Sequence, residues 1–205
     1  MEIFIADSLT IGLIAWYPFD QNTSDMSGNG YHGTSVNGPS LATGKFNQAL
    51  LFDGIDDFFR IPTEVLLNRH DQGTISLWFN SSKVDSRYLF SAHSPGRYYL
   101  DFNSQNFKFA VGDPAESHSV SSLTTNQWYF VTLLWSSPTN SAKFFINGQF
   151  QFEATNYQLH SNPAKVLLGS HNEEHEYFGG LIDDVRVYDR ALSATEVQAL
   201  YQLGQ

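Results

Sequence analysis

The chain has 205 residues, 41% hydrophobic and 15% aromatic, which is enough apolar surface for a deep core and too much for a disordered segment. Eleven Lys and Arg against twenty-one Asp and Glu leave a net charge of −10, and the basic residues never cluster, which argues against a nucleic-acid ligand. Without cysteine there are neither disulfides nor thiolate metal sites, and no run is apolar enough for membrane insertion.

In chain order, residues 1–11 read as a lead-in. Its apolar stretch is broken by Asp7 and has no basic n-region, so it is not a signal peptide. Residues 12–205 read as one domain of short strands. Strands are expected at 12–19, 48–52, 58–61, 74–80, 87–93, 98–103, 107–112, 128–136, 143–146, 149–154, 164–169 and 180–188. These segments are rich in β-branched and aromatic residues and are separated by Gly, Asn, Asp, Ser and Pro. Asn147-Gly148, between two Phe-rich runs, is a two-residue hairpin signal. A single helix is expected at the C-terminus. Ser193 caps it, Glu196 completes a capping box, Val197, Leu200 and Tyr201 share one face, and Gly204 fits its end.

Regularly spaced strands with one short C-terminal helix predict an all-β fold, two antiparallel sheets packed as a sandwich or jelly roll. Residues 128–135 lack clean alternation, as a central strand covered on both faces would. Trp16, Trp78, Trp128 and Trp135 have apolar strand neighbours and are expected in the core. Alternation in 97–103 sends Tyr98, Leu100 and Phe102 inward and Arg97, Tyr99, Asp101 and Asn103 to the opposite face.

Several motifs follow one another along the chain. The series opens with Leu13-Ile14-Ala15-Trp16-Tyr17-Pro18-Phe19-Asp20 and Ser27-Gly28-Asn29-Gly30-Tyr31-His32-Gly33. It continues through Leu51-Phe52-Asp53-Gly54, Thr74-Ile75-Ser76-Leu77-Trp78-Phe79, Gln127-Trp128-Tyr129-Phe130-Val131 and Phe144-Phe145-Ile146-Asn147-Gly148. It closes on Gly180-Leu181-Ile182-Asp183-Asp184-Val185-Arg186-Val187-Tyr188. This ordered series resembles laminin-G-like jelly-roll domains of the concanavalin A-like lectin and glucanase superfamily. The resemblance implies a two-sheet jelly roll, a non-catalytic recognition module tethered to other domains of an extracellular or cell-surface protein, and often one structural calcium ion.

Calcium takes about six to eight oxygens. With the last strand beside the first, as the resemblance implies, the expected ligands are Asp20, Asn29, the Gly30 carbonyl and Asp183, with Asp184 as the alternative to Asp183. The competing expectation is that Asp183 and Asp184 pair with Arg186 or Arg190 and cap loop amides. Asp53, Asp56 and Asp57 read as a turn whose edge carboxylate pairs with Arg60.

His171-Asn172-Glu173-Glu174-His175 matches the H-x-x-E-H zinc-protease pattern, but that chemistry needs a helix, and this run falls in a short connection. A retaining glycosidase needs two carboxyls about 5–5.5 Å apart, and no expected strand carries an alternating pair of glutamates. For a polysaccharide or glycan partner, the expected contacts are Arg97, Tyr99, Asp101 and Asn103, with His93 on a neighbouring strand. The expected function is carbohydrate binding, with protein–protein adhesion and glycoside hydrolysis or lysis as the alternatives.

Overall fold

The computed structural model describes residues 8–67, 71–83, 87–93, 98–103, 106–111, 116–121, 123–155 and 162–205; at 93, 98, 103, 106, 111 and 116–121 the backbone alone is described. The strands are β1 (Leu13–Tyr17), β2 (Thr34–Val36), β3 (Ser40–Thr43), β4 (Gln48–Asp53), β5 (Phe58–Ile61), β6 (Gln72–Ser81), β7 (Tyr88–His93) and β8 (Tyr98–Asn103). They continue with β9 (Asn106–Val111), β10 (Glu116–Ser121), β11 (Trp128–Ser136), β12 (Ser141–Ile146), β13 (Gln149–Thr155), β14 (Lys165–Leu168) and β15 (Gly179–Tyr188), followed by a helix at Ala194–Leu203. Every pairing is antiparallel among the described residues. An eight-stranded sheet runs β13-β12-β11-β6-β15-β4-β3 with β1 also on β15, and a seven-stranded sheet runs β10-β9-β8-β7-β14-β5-β2. The expected two-sheet jelly roll is the observed fold.

Strand alternation builds two cores. Ile75, Leu77 and Phe79 of β6, Val131, Leu133 and Trp135 of β11 and Phe144 of β12 face the other sheet, where they meet Phe102, Phe107 and Phe109. Phe144 stacks on both Phe107 and Phe109, with centroids 4.9 and 4.6 Å away. Trp78, Phe130 and Leu134 point the other way, under Val197 and Leu200 of the helix. That second layer is why β11 shows no polar face. Trp78 and Trp135 are buried as expected, whereas Trp16 and Trp128 are half-buried.

Local signals hold where they were read. Ser193 Oγ accepts from Glu196 N and the Glu196 side chain accepts from Ser193 N, so the capping box is complete. Asn147 and Gly148 both take positive φ, 51° and 73°, as a primed hairpin turn requires. Gly204 ends the helix for a different reason. A Cβ there would lie 2.4 Å from the Trp78 ring, so close packing, not a left-handed backbone, demands the glycine.

β15 is the seam of the larger sheet. One edge pairs with β6 along its length, while the other is shared, Gly179–Ile182 pairing with β4 and Val185–Tyr188 with β1. Asp183-Asp184 falls at this handover. The register against β6 slips there, Asp183 facing Trp78 and Arg186 facing Ser76, and Asp184 adopts φ 45°. The bulge leaves both aspartates buried, at 0% and 4% exposure.

Candidate functional site

Two acidic regions came out of the sequence, and their surroundings differ. At the β15 bulge, Asp183 Oδ2 accepts from Lys45 N (2.9 Å) and Phe46 N (3.0 Å), holding the loop that leads into β4. Its Oδ1 is buried without a hydrogen-bond partner, and burial pushes the carboxyl up to about 7. Asp184 Oδ1 accepts from Trp16 Nε1 (2.6 Å) and from Arg186 Nε and Nη2 (3.2 and 3.1 Å). Arg186 in turn lies 4.8 Å over the Trp16 ring. These carboxylates cap loop amides and pair with Arg186, while Arg190 is taken by Glu196 at 2.7 Å.

The expected calcium ligands do not form one set. Asp20 reaches the same loop as Asp183, accepting from Gln48 N at 3.5 Å. Asn29 instead donates to the Leu13 and Ile14 carbonyls at the far end of β1, and Gly30 precedes Tyr31, whose amide is held by Asp25. Asp25, not Asp20 or Asn29, organises that turn, accepting from Trp16 N, Ser27 N, Ser27 Oγ and Tyr31 N. Two carboxylates on one loop fall short of about six to eight oxygens, so the expected set does not fit a calcium ion.

Asp53, Asp56 and Asp57 form a turn, as expected, with Asp53 Oδ1 accepting from Ile55 N and Asp57 Oδ2 from Asp53 N. The expected partner is corrected: Arg60 bonds Glu173 at 3.0 Å.

The second region lies on the outer face of the seven-stranded sheet. β7, β8 and β9 send Phe90, Leu100, Phe102, Phe107 and Phe109 into the core. Tyr99, Asp101 and Lys108 therefore face outward, and Tyr88 joins them because β7 slips register between Tyr88 and Phe90. Tyr88 stands opposite Asp101, and Asp101 opposite Lys108. The Tyr88 and Tyr99 rings meet edge to face at 5.3 Å. Asp101 is 6% exposed and its Oδ1 has no hydrogen-bond partner. Burial pushes its pKa up to about 6, against the pull of Lys108 and Arg87 and with repulsion from Glu176.

Residues 170–177 fold over one side of this face. Phe178 N donates to Gly169 O (2.9 Å) at the loop base, and Ser91 Oγ of β7 donates to the Ser170 and His171 carbonyls (2.7 and 3.0 Å). Glu173 ties the loop down through Arg60 Nε (3.0 Å) and Lys165 Nζ (3.1 Å). The segment is not helical, which removes the zinc-protease geometry. It does place the His171 ring 4.4 Å from Tyr88, and Glu176 beside both His171 and His175.

The structure thus brings Tyr99 and Asp101 together, and adds Tyr88, Lys108 and His171, which were not among the expected contacts. Tyr88 was hidden by the register slip, since strict alternation puts it with Phe90. His171 was visible in its motif, but only the tertiary fold shows it lying on Tyr88. Arg97 lies outside the described residues, as do the side chains of His93 and Asn103.

A laminin-G family model, described as of the concanavalin A-like lectin/glucanases superfamily, matches residues 53–198. Domain 4 of AbnA, a GH43 extracellular arabinanase from Geobacillus stearothermophilus, solved in complex with arabinotriose, is 25% identical. It covers 93% of this chain and 98% of its own at a TM-score of 0.77. A botulinum neurotoxin type C structure, described as entering cells through interaction with two ganglioside molecules, is 16% identical, with a TM-score of 0.80 over 98% of this chain. The binding domain of Paraclostridial Mosquitocidal Protein 1 is 15% identical, with a TM-score of 0.76 over 94% of this chain. This chain spans about half of those two toxin chains, 53% and 52%, and at such identities the likeness is one of fold. No curated protein matches the chain by sequence.

Proposed function

The chain belongs to the concanavalin A-like lectin/glucanases superfamily, and from that premise we propose that it is a non-catalytic carbohydrate-binding module of an extracellular protein, tethered to other domains. The observation that carries this reading is the likeness, over nearly the full length of both chains, to an arabinanase domain captured with arabinotriose. The outer face of the seven-stranded sheet supports it chemically. The half-buried rings of Tyr88 and Tyr99 offer a stacking surface for the apolar C–H face of a sugar ring. Asp101, with its unpartnered Oδ1, lies beside these rings, and the charges of Lys108 and Arg87 act on it.

Saturable binding of the full chain to at least one polysaccharide or oligosaccharide, arabinans included, is the expected result on a glycan array followed by calorimetry. Tyr99→Ala weakens it by about 2- to 10-fold, on the basis of about 0.5–1.5 kcal/mol for one stacked ring. No saturable glycan binding overturns the reading and leaves protein–protein adhesion. Glycoside hydrolysis is a second reading with one observation in its favour: Asp101, pushed up to about 6, lies near a second carboxylate, Glu176. It requires release of sugar from a polysaccharide and loss of that release in Asp101→Asn.

A further inference from the structure

We propose that His171, His175 and Glu176 form a binding site for a zinc-class divalent cation, on the loop that borders the Tyr88–Asp101 face. The nitrogen and carboxylate ligand atoms of these three residues all lie within 4.8 Å of one another. His171 Nδ1 is 3.4 Å, and His175 Nε2 3.8 Å, from the same oxygen, Glu176 Oε2. Tetrahedral zinc with bonds of about 2.0–2.2 Å sets its ligands about 3.3–3.6 Å apart. Two edges of such a tetrahedron are therefore nearly in place, and the third, no longer than 4.8 Å, closes with a shift of at most about 1.5 Å between the imidazoles. Two imidazoles and one carboxylate match borderline zinc and disfavour calcium, which takes oxygen alone.

The protein holds this set from outside. The His171 ring lies against Tyr88, and its backbone carbonyl accepts from Ser91 Oγ, which fixes it to β7. Glu173, bonded to Arg60 and Lys165, anchors the loop between the two histidines. Glu173 and Glu176 both hold positive φ, 76° and 60°, a backbone disfavoured for a non-glycine residue, and at Glu176 it accompanies a carboxylate turned toward both imidazoles. A second feature points to a ligand. Asp101, more than nine-tenths buried with Oδ1 unpartnered, stands directly opposite Tyr88, the residue on which His171 rests, and feels the charge of Glu176. A cation at the histidines would add to the positive charge that Lys108 and Arg87 bring to this buried carboxylate and offset the repulsion from Glu176. Three protein ligands leave one position for water or a ligand oxygen on the same side as the proposed sugar surface.

This arrangement is not the zinc-protease motif, although it shares its letters. Glu174, which stands where the motif has its general-base glutamate, is exposed and off the cluster, and the third ligand is Glu176. The site stands independently of whether the neighbouring face binds a glycan.

The test is titration of the full, chelator-washed chain with zinc chloride by calorimetry and thermal unfolding, with calcium chloride in parallel. Cobalt(II) provides a spectroscopic readout. The expected result is one saturable zinc site per chain, a rise in Tm with zinc and none with calcium, and visible cobalt bands of tetrahedral intensity. His175→Gln, at an exposed position that leaves the fold intact, lowers zinc affinity by at least the roughly 10–100-fold that loss of an outer-shell partner costs. Glu176→Gln does the same. Absence of saturable zinc binding overturns the proposal, as does binding that both variants leave unchanged. Glycan binding that persists in zinc-free His175→Gln keeps the carbohydrate reading and judges the metal site alone.

Discussion

The β15 bulge and the outer face of the seven-stranded sheet each hold a buried aspartate with one unpartnered oxygen, yet only the second has the surroundings of a binding site. Asp183 is fully buried against two loop amides, and its neighbour Asp184 is consumed by Trp16 and Arg186. Its work is internal. It closes the gap where β15 passes from β4 to β1. Asp101 sits among half-buried tyrosines, a lysine and a docked loop that carries two histidines and a glutamate. The lesson is that a carboxylate marks a site by the groups around it that remain available, not by being acidic or by lying on a strand.

The comparison breaks most sharply at Asp184. Asp184→Ala strips the partner from an Arg186 whose side chain is only 12% exposed and leaves a buried charge, so unfolding in urea is expected to show a loss of about 3–5 kcal/mol. A loss under 1 kcal/mol would mean that the pair is solvated and the clamp is not structural. Ser193→Ala, which removes the hydroxyl half of the helix cap over the second core, is expected to cost about 1 kcal/mol by the same measurement. Glu173→Gln at the loop anchor involves partly exposed cations and is expected to cost about 0.2–1 kcal/mol while weakening ligand binding at the outer face. Asp101→Asn is the mirror image of Asp184→Ala: a small effect on stability at neutral pH, with glycan binding lost.

Stability against pH sharpens the same contrast. The Asp183 carboxyl is raised to about 7 in the fold against about 4 in the unfolded chain, so the folded state binds the extra proton. Its contribution is fully present below about pH 4 and is lost as pH rises through about 7. Asp101, raised to about 6, acts in the same sense. Asp183→Asn imitates the protonated acid and is expected to flatten the fall in stability between pH 4 and 7, which urea midpoints across that range measure. Glu196 runs the other way. Its hydrogen bonds from Arg190, against some burial, hold it down to about 2, so its stabilisation is lost as pH falls from about 4.5 toward 2.

What the sequence made legible follows from range. The Asn147-Gly148 turn and the Ser193–Glu196 cap are local, and both stand where they were read. The strands at 58–61, 98–103 and 128–136 were bounded by apolar runs that their own neighbours define. Strands β2, β3 and β10 were missed because Thr34–Val36, Ser40–Thr43 and Glu116–Ser121 are polar or short and owe their form to the partners they pair with. The Asp183-Asp184 bulge was beyond local reading for a similar reason, since it arises where one strand changes partners. Of the candidate site, Tyr99 and Asp101 were legible by alternation. Their meeting with Tyr88 and His171 depends on a register slip and on a loop contact between residues far apart in sequence.

The most direct test of the central claim, that the outer face of the seven-stranded sheet binds carbohydrate, is calorimetric titration of arabino-oligosaccharides and array-identified glycans into the intact chain, Tyr99→Ala and Asp101→Asn. Circular dichroism confirms that all three are folded. The account predicts saturable binding by the intact chain, binding about 2- to 10-fold weaker in Tyr99→Ala, and loss of binding in Asp101→Asn. Binding that both variants retain would place the site elsewhere on the fold, and no binding by the folded intact chain would contradict the carbohydrate function itself.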